Sequence, residues 1–151
     1  MTGFVPQDEA YADRVRASFA RQAMMGTIGA SLTRVPPGEV DVEVAVSPAI
    51  GQQHGFVHAG AVATAADSAA GYAALTLMPP GAGVLTAEFK INLLAPAEGE
   101  RLIARGRVVK AGRSLIVAQT EVYAEREGEQ KLVALLTATA VVVQGRAGVS
   151  D

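Results

Sequence analysis

The stretch that decides the fold is Ala59 to Met78, AGAVATAADSAAGYAALTLM. It is apolar nearly all round, rich in Ala and Gly, and has no polar face wide enough to meet solvent. A helix of that kind has to be enclosed by protein, and its small residues let a surrounding backbone come close. Twenty residues would make a rod of roughly 30 Å at ~1.5 Å per residue. The length is also that of a membrane span of ~20 residues, but Asp67 sits near its middle. A charge at that depth costs roughly 2.5–3.5 kcal/mol on insertion scales, with little from Ala and Gly to offset it. The segment is therefore expected to be the buried helix of a soluble, cytoplasmic protein.

Downstream, everything reads as strand. From Leu85 to Leu93 the odd positions are apolar (Leu85, Ala87, Phe89, Ile91, Leu93), and Thr86, Glu88, Lys90 and Asn92 take the even ones. That is a period of two. Further strands are expected over Leu102–Val109, Leu115–Glu125 and Lys131–Val143, and short connections between them imply antiparallel neighbours. Upstream, Ala30–Arg34 and Val40–Val46 alternate around Pro36-Pro37-Gly38 and read as a hairpin. Asp8–Met25 places Tyr11, Val15, Phe19 and Ala23 on one helical face. The expected architecture is α+β: an antiparallel sheet of about six strands wrapped around one long central helix, plus an N-terminal helix (about 8–25). Residues 1–151 are expected to form one domain with a core over about 26–143. Exposed sheet edges in such a layout are commonly managed by pairing with a second copy, so a dimer at least is expected.

Composition narrows the chemistry. The 151 residues are 50% apolar and 19% charged, with Lys+Arg 13 against Asp+Glu 15 and a net charge of -2. A global cationic footprint for nucleic acid is absent. With no Cys and only His54 and His58, there is no thiol nucleophile, no Cys-ligated metal and no three-His zinc site within one chain. No metal or cofactor is expected.

One constellation remains. Gln52-Gln53-His54-Gly55-Phe56-Val57-His58-Ala59-Gly60 runs straight into the central helix, and Asp67 follows as its one charge. Desolvation raises the pKa of such a carboxyl, which suits proton exchange near neutrality. The helix start offers the N–H groups of Ala59 and Gly60 and the positive end of the dipole, a place for an oxyanion. A proton-exchanging carboxylate plus an oxyanion site is what acyl hydrolysis by water requires. No nucleophile elbow surrounds Ser68. Two turns of helix, about 10 Å, separate Asp67 from the helix start. An antiparallel second copy would close that gap, so the active site is expected to be shared between subunits. Plainer readings compete: Asp67 as a buried structural carboxylate, His58 as a helix-entrance residue bonded to backbone, and Thr86 as an ordinary polar strand residue.

Gln52 to Gly71, with Thr86–Pro96 and Lys110–Leu115, resembles the acyl-CoA thioesterases of the phenylacetate-degradation (PaaI-like) branch of the hotdog superfamily. Their signature is an Asn, a Gly, then His-Gly-Gly, and an Asp on the central helix. The resemblance implies a hotdog fold and hydrolysis of an acyl- or aryl-acyl-CoA thioester to free acid and coenzyme A. By position it gives Asp67 the role of general base or nucleophile, and the Ala59 N–H that of polarising the thioester carbonyl, with Gly60 and His58 beside it. Gln52 and Thr86 would place the water or the leaving thiolate. Lys110, Gly112, Arg113, Ser114 and Leu115 would contact the coenzyme A nucleotide and pantetheine arm, with Leu93 and Pro96 at the neighbouring strand end. The resemblance also implies a homo-oligomer, a dimer or a tetramer. Two positions depart from the pattern: His58-Ala59-Gly60 replaces His-Gly-Gly, and Gln52 replaces Asn, lengthening that side chain by one methylene. Two alternatives fit the same residues. One is a non-catalytic acyl-CoA-binding module on this fold. The other is an acyl-thioester hydratase or dehydratase, which wants a His close to its carboxylate, whereas His58 precedes Asp67 by nine residues.

Overall fold

The buried rod is the organising element in the computed structural model, which describes residues 3–151. Helix α3 spans Ala59–Leu75, shorter than the twenty residues expected, and along it Ala65, Ala66, Ala69, Ala70, Ala73 and Ala74 are buried. Its end is fixed from outside. The Arg14 guanidinium donates to the carbonyl oxygens of Leu75 (3.0 Å), Met78 (2.8 Å) and Pro79 (2.8 Å), at the last helical residue and in the turn just beyond it. Pro79-Pro80 then forbids continuation.

Six strands curl around this helix: β1 (Ala30–Arg34), β2 (Glu39–Ala45), β3 (Gly83–Leu93), β4 (Arg101–Ala111), β5 (Leu115–Arg126) and β6 (Glu129–Val143). All pairings are antiparallel, in the order β1-β2-β4-β5-β6-β3. This is the hotdog arrangement. Val40, Val42 and Val44 of β2 point inward and are fully buried, each contributing about 1.5–3 kcal/mol relative to exposure. At mid-sheet the backbones nearly touch. Gly106 of β4 pairs in register with Thr120 of β5, and both face α3. Thr120 Oγ1 donates to the carbonyl of Ala66 at 2.9 Å, while a Cβ on Gly106 would stand 2.3 Å from the carbonyl oxygen of Ala69. Small residues on the helix and a glycine on the strand make that approach possible.

The N-terminal helix expected over 8–25 is two helices, α1 (Tyr11–Arg21) and α2 (Ala23–Thr27), broken at Gln22, whose backbone is extended (φ -79°, ψ 102°). At the break the Gln22 side chain, on a residue that stays exposed, bonds across to α3: its Nε2 reaches Tyr72 OH (3.4 Å), and Ser68 Oγ donates to its Oε1 (3.3 Å). Val15 and Phe19 are buried, and the Phe19 ring lies 5.6 Å from that of Tyr72. The alternation in β3 predicts one buried face. Instead every residue from Leu85 to Lys90 is exposed; β3 is an edge strand, with β6 its one neighbour in the sheet. Leu85 (45%), Phe89 (44%) and Leu93 (54%) leave much of their surface open. Among the described residues no helix is long and apolar enough to cross a membrane.

Candidate active site

The entrance to α3 is built by His58, the N-cap residue. Its extended backbone (φ -61°, ψ 136°) starts the helix, and its Nδ1 accepts the N–H of Gly60 at 2.8 Å. That bond uses the Gly60 amide, so the pair of donors expected at the helix start reduces to one. Ala59, at the first helical position, keeps an N–H with no partner among the described residues. The loop before it is braced locally, with Gln52 Oε1 accepting the N–H of His54 and Gln52 N donating to the carbonyl of Phe56 at 2.8 Å. His54 is exposed. Gln52, His58, Ala59, Leu93 and Pro96 line one cavity of about 520 Å³, together with Val133 of β6. Five of the residues singled out in the sequence are therefore brought together.

Asp67 is elsewhere. Eight residues further along α3, about 12 Å at ~1.5 Å per residue, it is half-buried and accepts the Thr86 hydroxyl on Oδ1 at 2.9 Å. Burial raises its pKa above the ordinary carboxylate value of 3.8, and the Thr86 bond, which favours the ionised form, opposes that in part. Asp67, Ser68 and Thr86 line a second, small cavity of about 120 Å³ with Gln22, Tyr72 and Asp151.

Lys110 and Ala111 end β4, and Gly112, Arg113 and Ser114 turn into Leu115. The Gly112 N–H donates to the carbonyl of Leu115 at 2.9 Å, and a Cβ at Gly112 would stand 2.5 Å from that oxygen, so the turn needs glycine. The hairpin lines neither of these cavities. Register places it at the Asp67 end of the sheet, since Leu115 pairs with Val141 and Val141 with Leu85. Leu93, at the far end of β3, pairs with Ala134. From Thr86 to Leu93 is seven residues, roughly 23 Å of strand.

The expected site residues thus divide between the two ends of one edge strand. Asp67, Thr86 and the 110–115 hairpin lie at one end, and Gln52, His58, Ala59, Leu93 and Pro96 at the other. Gln22, Tyr72 and Asp151 were not singled out in the sequence. They reach the Asp67 cavity from 46 to 133 residues away from their bonding partners, and no local pattern marks them.

Residues 54–131, which carry the helix entrance, Asp67, β3 and the hairpin, match the thioesterase superfamily. The chain belongs to that superfamily. A thioesterase family protein from Silicibacter pomeroyi is similar at 52% identity and a TM-score of 0.88, over 89% of this chain and 99% of that one. A mutant of the phenylacetic acid degradation protein PaaI from Thermus thermophilus is 28% identical with a TM-score of 0.70, over 81% and 100%. The PaaI protein from the phenylacetic acid degradation operon of E. coli shares the fold (TM-score 0.82, 21% identity, 92% and 97% covered).

Proposed function

We propose that this superfamily member is an acyl-CoA thioesterase whose active site is completed by a second copy of the chain. The observation that carries the reading is the division of the site residues between the two ends of β3. Two β3 strands paired antiparallel about a two-fold axis would lay the Asp67–Thr86 end of one copy beside the Ala59–Leu93 end of the other. The free edge of β3 and its open Leu85, Phe89 and Leu93 suit such a partner. PaaI proteins and thioesterase family proteins among the similar structures support the thioester class.

In that assembly the thioester carbonyl accepts the unpartnered N–H of Ala59 from the second copy, at the positive end of the α3 dipole. The Asp67 carboxylate takes a proton from water as the water oxygen adds to the carbonyl carbon. The tetrahedral oxyanion stays on the Ala59 amide. It collapses by expelling the coenzyme A thiolate, which recovers the proton from Asp67. A direct attack by Asp67, giving a mixed anhydride that water then opens, uses the same geometry. Thr86 holds Oδ1, leaving Oδ2 for the proton or the carbonyl carbon. Gln52, braced by the His54 amide, lines the Ala59 end and positions the carbonyl or the water there. Lys110 and Arg113 offer charge to the coenzyme A phosphates.

The test is a thiol-release assay over short-chain, medium-chain and aryl acyl-CoA esters. Free thiol and free acid are expected as products, and Asp67→Asn should lower kcat by ~10²–10⁴-fold. Tight binding with no turnover of any ester would identify a binding module instead, and an enoyl or hydroxyacyl thioester product a hydratase or dehydratase.

A further inference from the structure

The cavity beside Asp67 has an end wall supplied by the segment that follows β6. The Asp151 side chain is bound there three ways. Its Oδ2 accepts the backbone N–H of Val84 at 2.9 Å, its Oδ1 accepts the Ser18 hydroxyl at 2.6 Å, and the Arg21 guanidinium stands 3.7 Å from Oδ1. Val149 of the same segment packs so closely on the start of β3 that a Cβ at Gly83 would lie 2.8 Å from its Cγ1. The segment therefore seats a carboxylate against α1 and β3 at the cavity's edge.

Behind that carboxylate runs a chain of hydrogen bonds. Ser18 Oγ lies 3.3 Å from Tyr72 OH, Gln22 Nε2 reaches the same hydroxyl at 3.4 Å, and Ser68 Oγ donates to Gln22 Oε1 at 3.3 Å. Ser68 adjoins Asp67 in sequence and, like Gln22, Tyr72 and Asp151, lines its cavity. At about 120 Å³ the cavity is well below the ~300–1,000 Å³ of a drug-sized site. It has room for roughly four atoms the size of a water oxygen, at ~30 Å³ each. A growing hydrocarbon chain would meet a charged carboxylate and hydrogen-bonded polar groups, whose desolvation it could not repay.

We propose that this cavity is the acyl subsite, that Asp151 and Gln22 are its specificity-determining wall, and that it takes short aliphatic acyl groups of about two to four carbons. This rests on the reading of Asp67 as the group that meets the thioester carbonyl. The chain leaves the carbonyl toward Ser68 and stops at the Gln22–Tyr72–Asp151 layer. Specificity is then set in part by a segment outside the sheet and helix that define the fold.

The experiment measures kcat/KM for acetyl- to octanoyl-CoA. Alongside it, affinities are measured for nonhydrolysable ketone analogues of the same lengths. The proteins are the wild type, Asp151→Ala, Gln22→Ala and Asp67→Asn, each checked for folding by thermal melt. For the wild type, kcat/KM and affinity should peak at or below butyryl. In Asp151→Ala or Gln22→Ala the hexanoyl-to-propionyl ratio should rise about tenfold in both measurements, the scale on which methylenes are discriminated in a pocket. A wild-type optimum at hexanoyl or longer overturns the proposal. So does an unmoved ratio in both folded wall variants. Full turnover by Asp67→Asn would remove the reading of Asp67, and the subsite with it. Loss of turnover in that variant with an unmoved chain-length ratio in the others removes the subsite alone.

Discussion

Thr86 Oγ1 donates to Asp67 Oδ1 at 2.9 Å, joining the edge strand to the central helix across 19 residues of sequence. The bond does two things. It occupies one carboxylate oxygen, Oδ1, and it holds back the rise in pKa that burial imposes on Asp67. Replacing Thr86 with Val keeps the shape and removes the donor. Without it the ionised form is less favoured, so the acid limb of the kcat/KM profile should move to higher pH. The rate on the plateau should fall by roughly 10–100-fold, the range expected for a hydrogen bond to a charged group. Thr86→Ser restores the hydroxyl and should return the limb toward its original position. A limb that does not move in the Val variant would separate Thr86 from the titration of Asp67.

The same carboxylate should cost stability. Because the folded-state pKa of Asp67 lies above 3.8, the native state holds its proton more tightly than the unfolded chain does. Unfolding free energy therefore falls as pH rises from about 3.8 through the folded-state value, and stays lowered above it. Asp67→Asn removes the charge and keeps an acceptor for Thr86. The variant should melt at a higher temperature than the wild type at pH 7, while turning over less. The difference should shrink as the pH is brought down toward 4. Melts at the two pH values check the sign, and equal shifts at both would assign the gain to something other than the charge.

Ala59 offers a substitution that removes a donor with little else. It sits at the first helical position, where proline is well accommodated, and His58 before it already has the extended backbone a proline requires (φ -61°, ψ 136°). Ala59→Pro should fold and melt near the wild type yet lose ~10²–10³-fold in kcat, as for deletion of an oxyanion donor. Mixed in equal amounts with Asp67→Asn, it should recover about a quarter of wild-type activity: half the dimers would be mixed, each with one intact site. No recovery after demonstrated subunit exchange would mean that each chain works alone.

Which parts were legible in the sequence follows from the range of the interactions. The alanine-rich rod, the period-two strands and the turns at Pro-Pro-Gly and Gly112 are written in neighbouring residues, and the strand boundaries fell within a few residues of their expected places. The split of α1 from α2 was not legible. Gln22 suits a helix by propensity, and its extended backbone goes with bonds to Ser68 and Tyr72 on α3. The exposure of Leu85 and Phe89 was hidden for a related reason: alternation reports that a face is apolar, not what covers it. At the helix entrance, spacing revealed two candidate donors, Ala59 and Gly60. In the folded chain His58 Nδ1 takes one of them, a bond that spacing alone does not reveal.

Gly106 tests whether the position of Asp67 depends on how closely the sheet approaches the helix. A Cβ there would lie 2.3 Å from the Ala69 carbonyl oxygen, 2.4 Å from its carbon and 2.9 Å from the Ala70 nitrogen. All three are backbone atoms of the helix and cannot rotate away as a side chain could. Gly106→Ala therefore has to push α3 off β4 or bend the strand, at a cost of roughly 1–3 kcal/mol or more for overpacking a core. The displacement falls two residues beyond Asp67, on the stretch of helix that Thr120 ties to the sheet through the Ala66 carbonyl. Reactive groups misplaced by about 1 Å can lose ~100-fold in rate. The variant should thus show a lowered urea midpoint together with a kcat loss that persists at temperatures where it is fully folded. A matching substitution away from the helix, Gly128→Ala in the β5–β6 turn, carries strain at φ 80° but meets nothing within 4 Å. It should cost stability and leave the turnover of folded protein unchanged. If both variants lose stability alone, contact with β4 does not set where Asp67 stands.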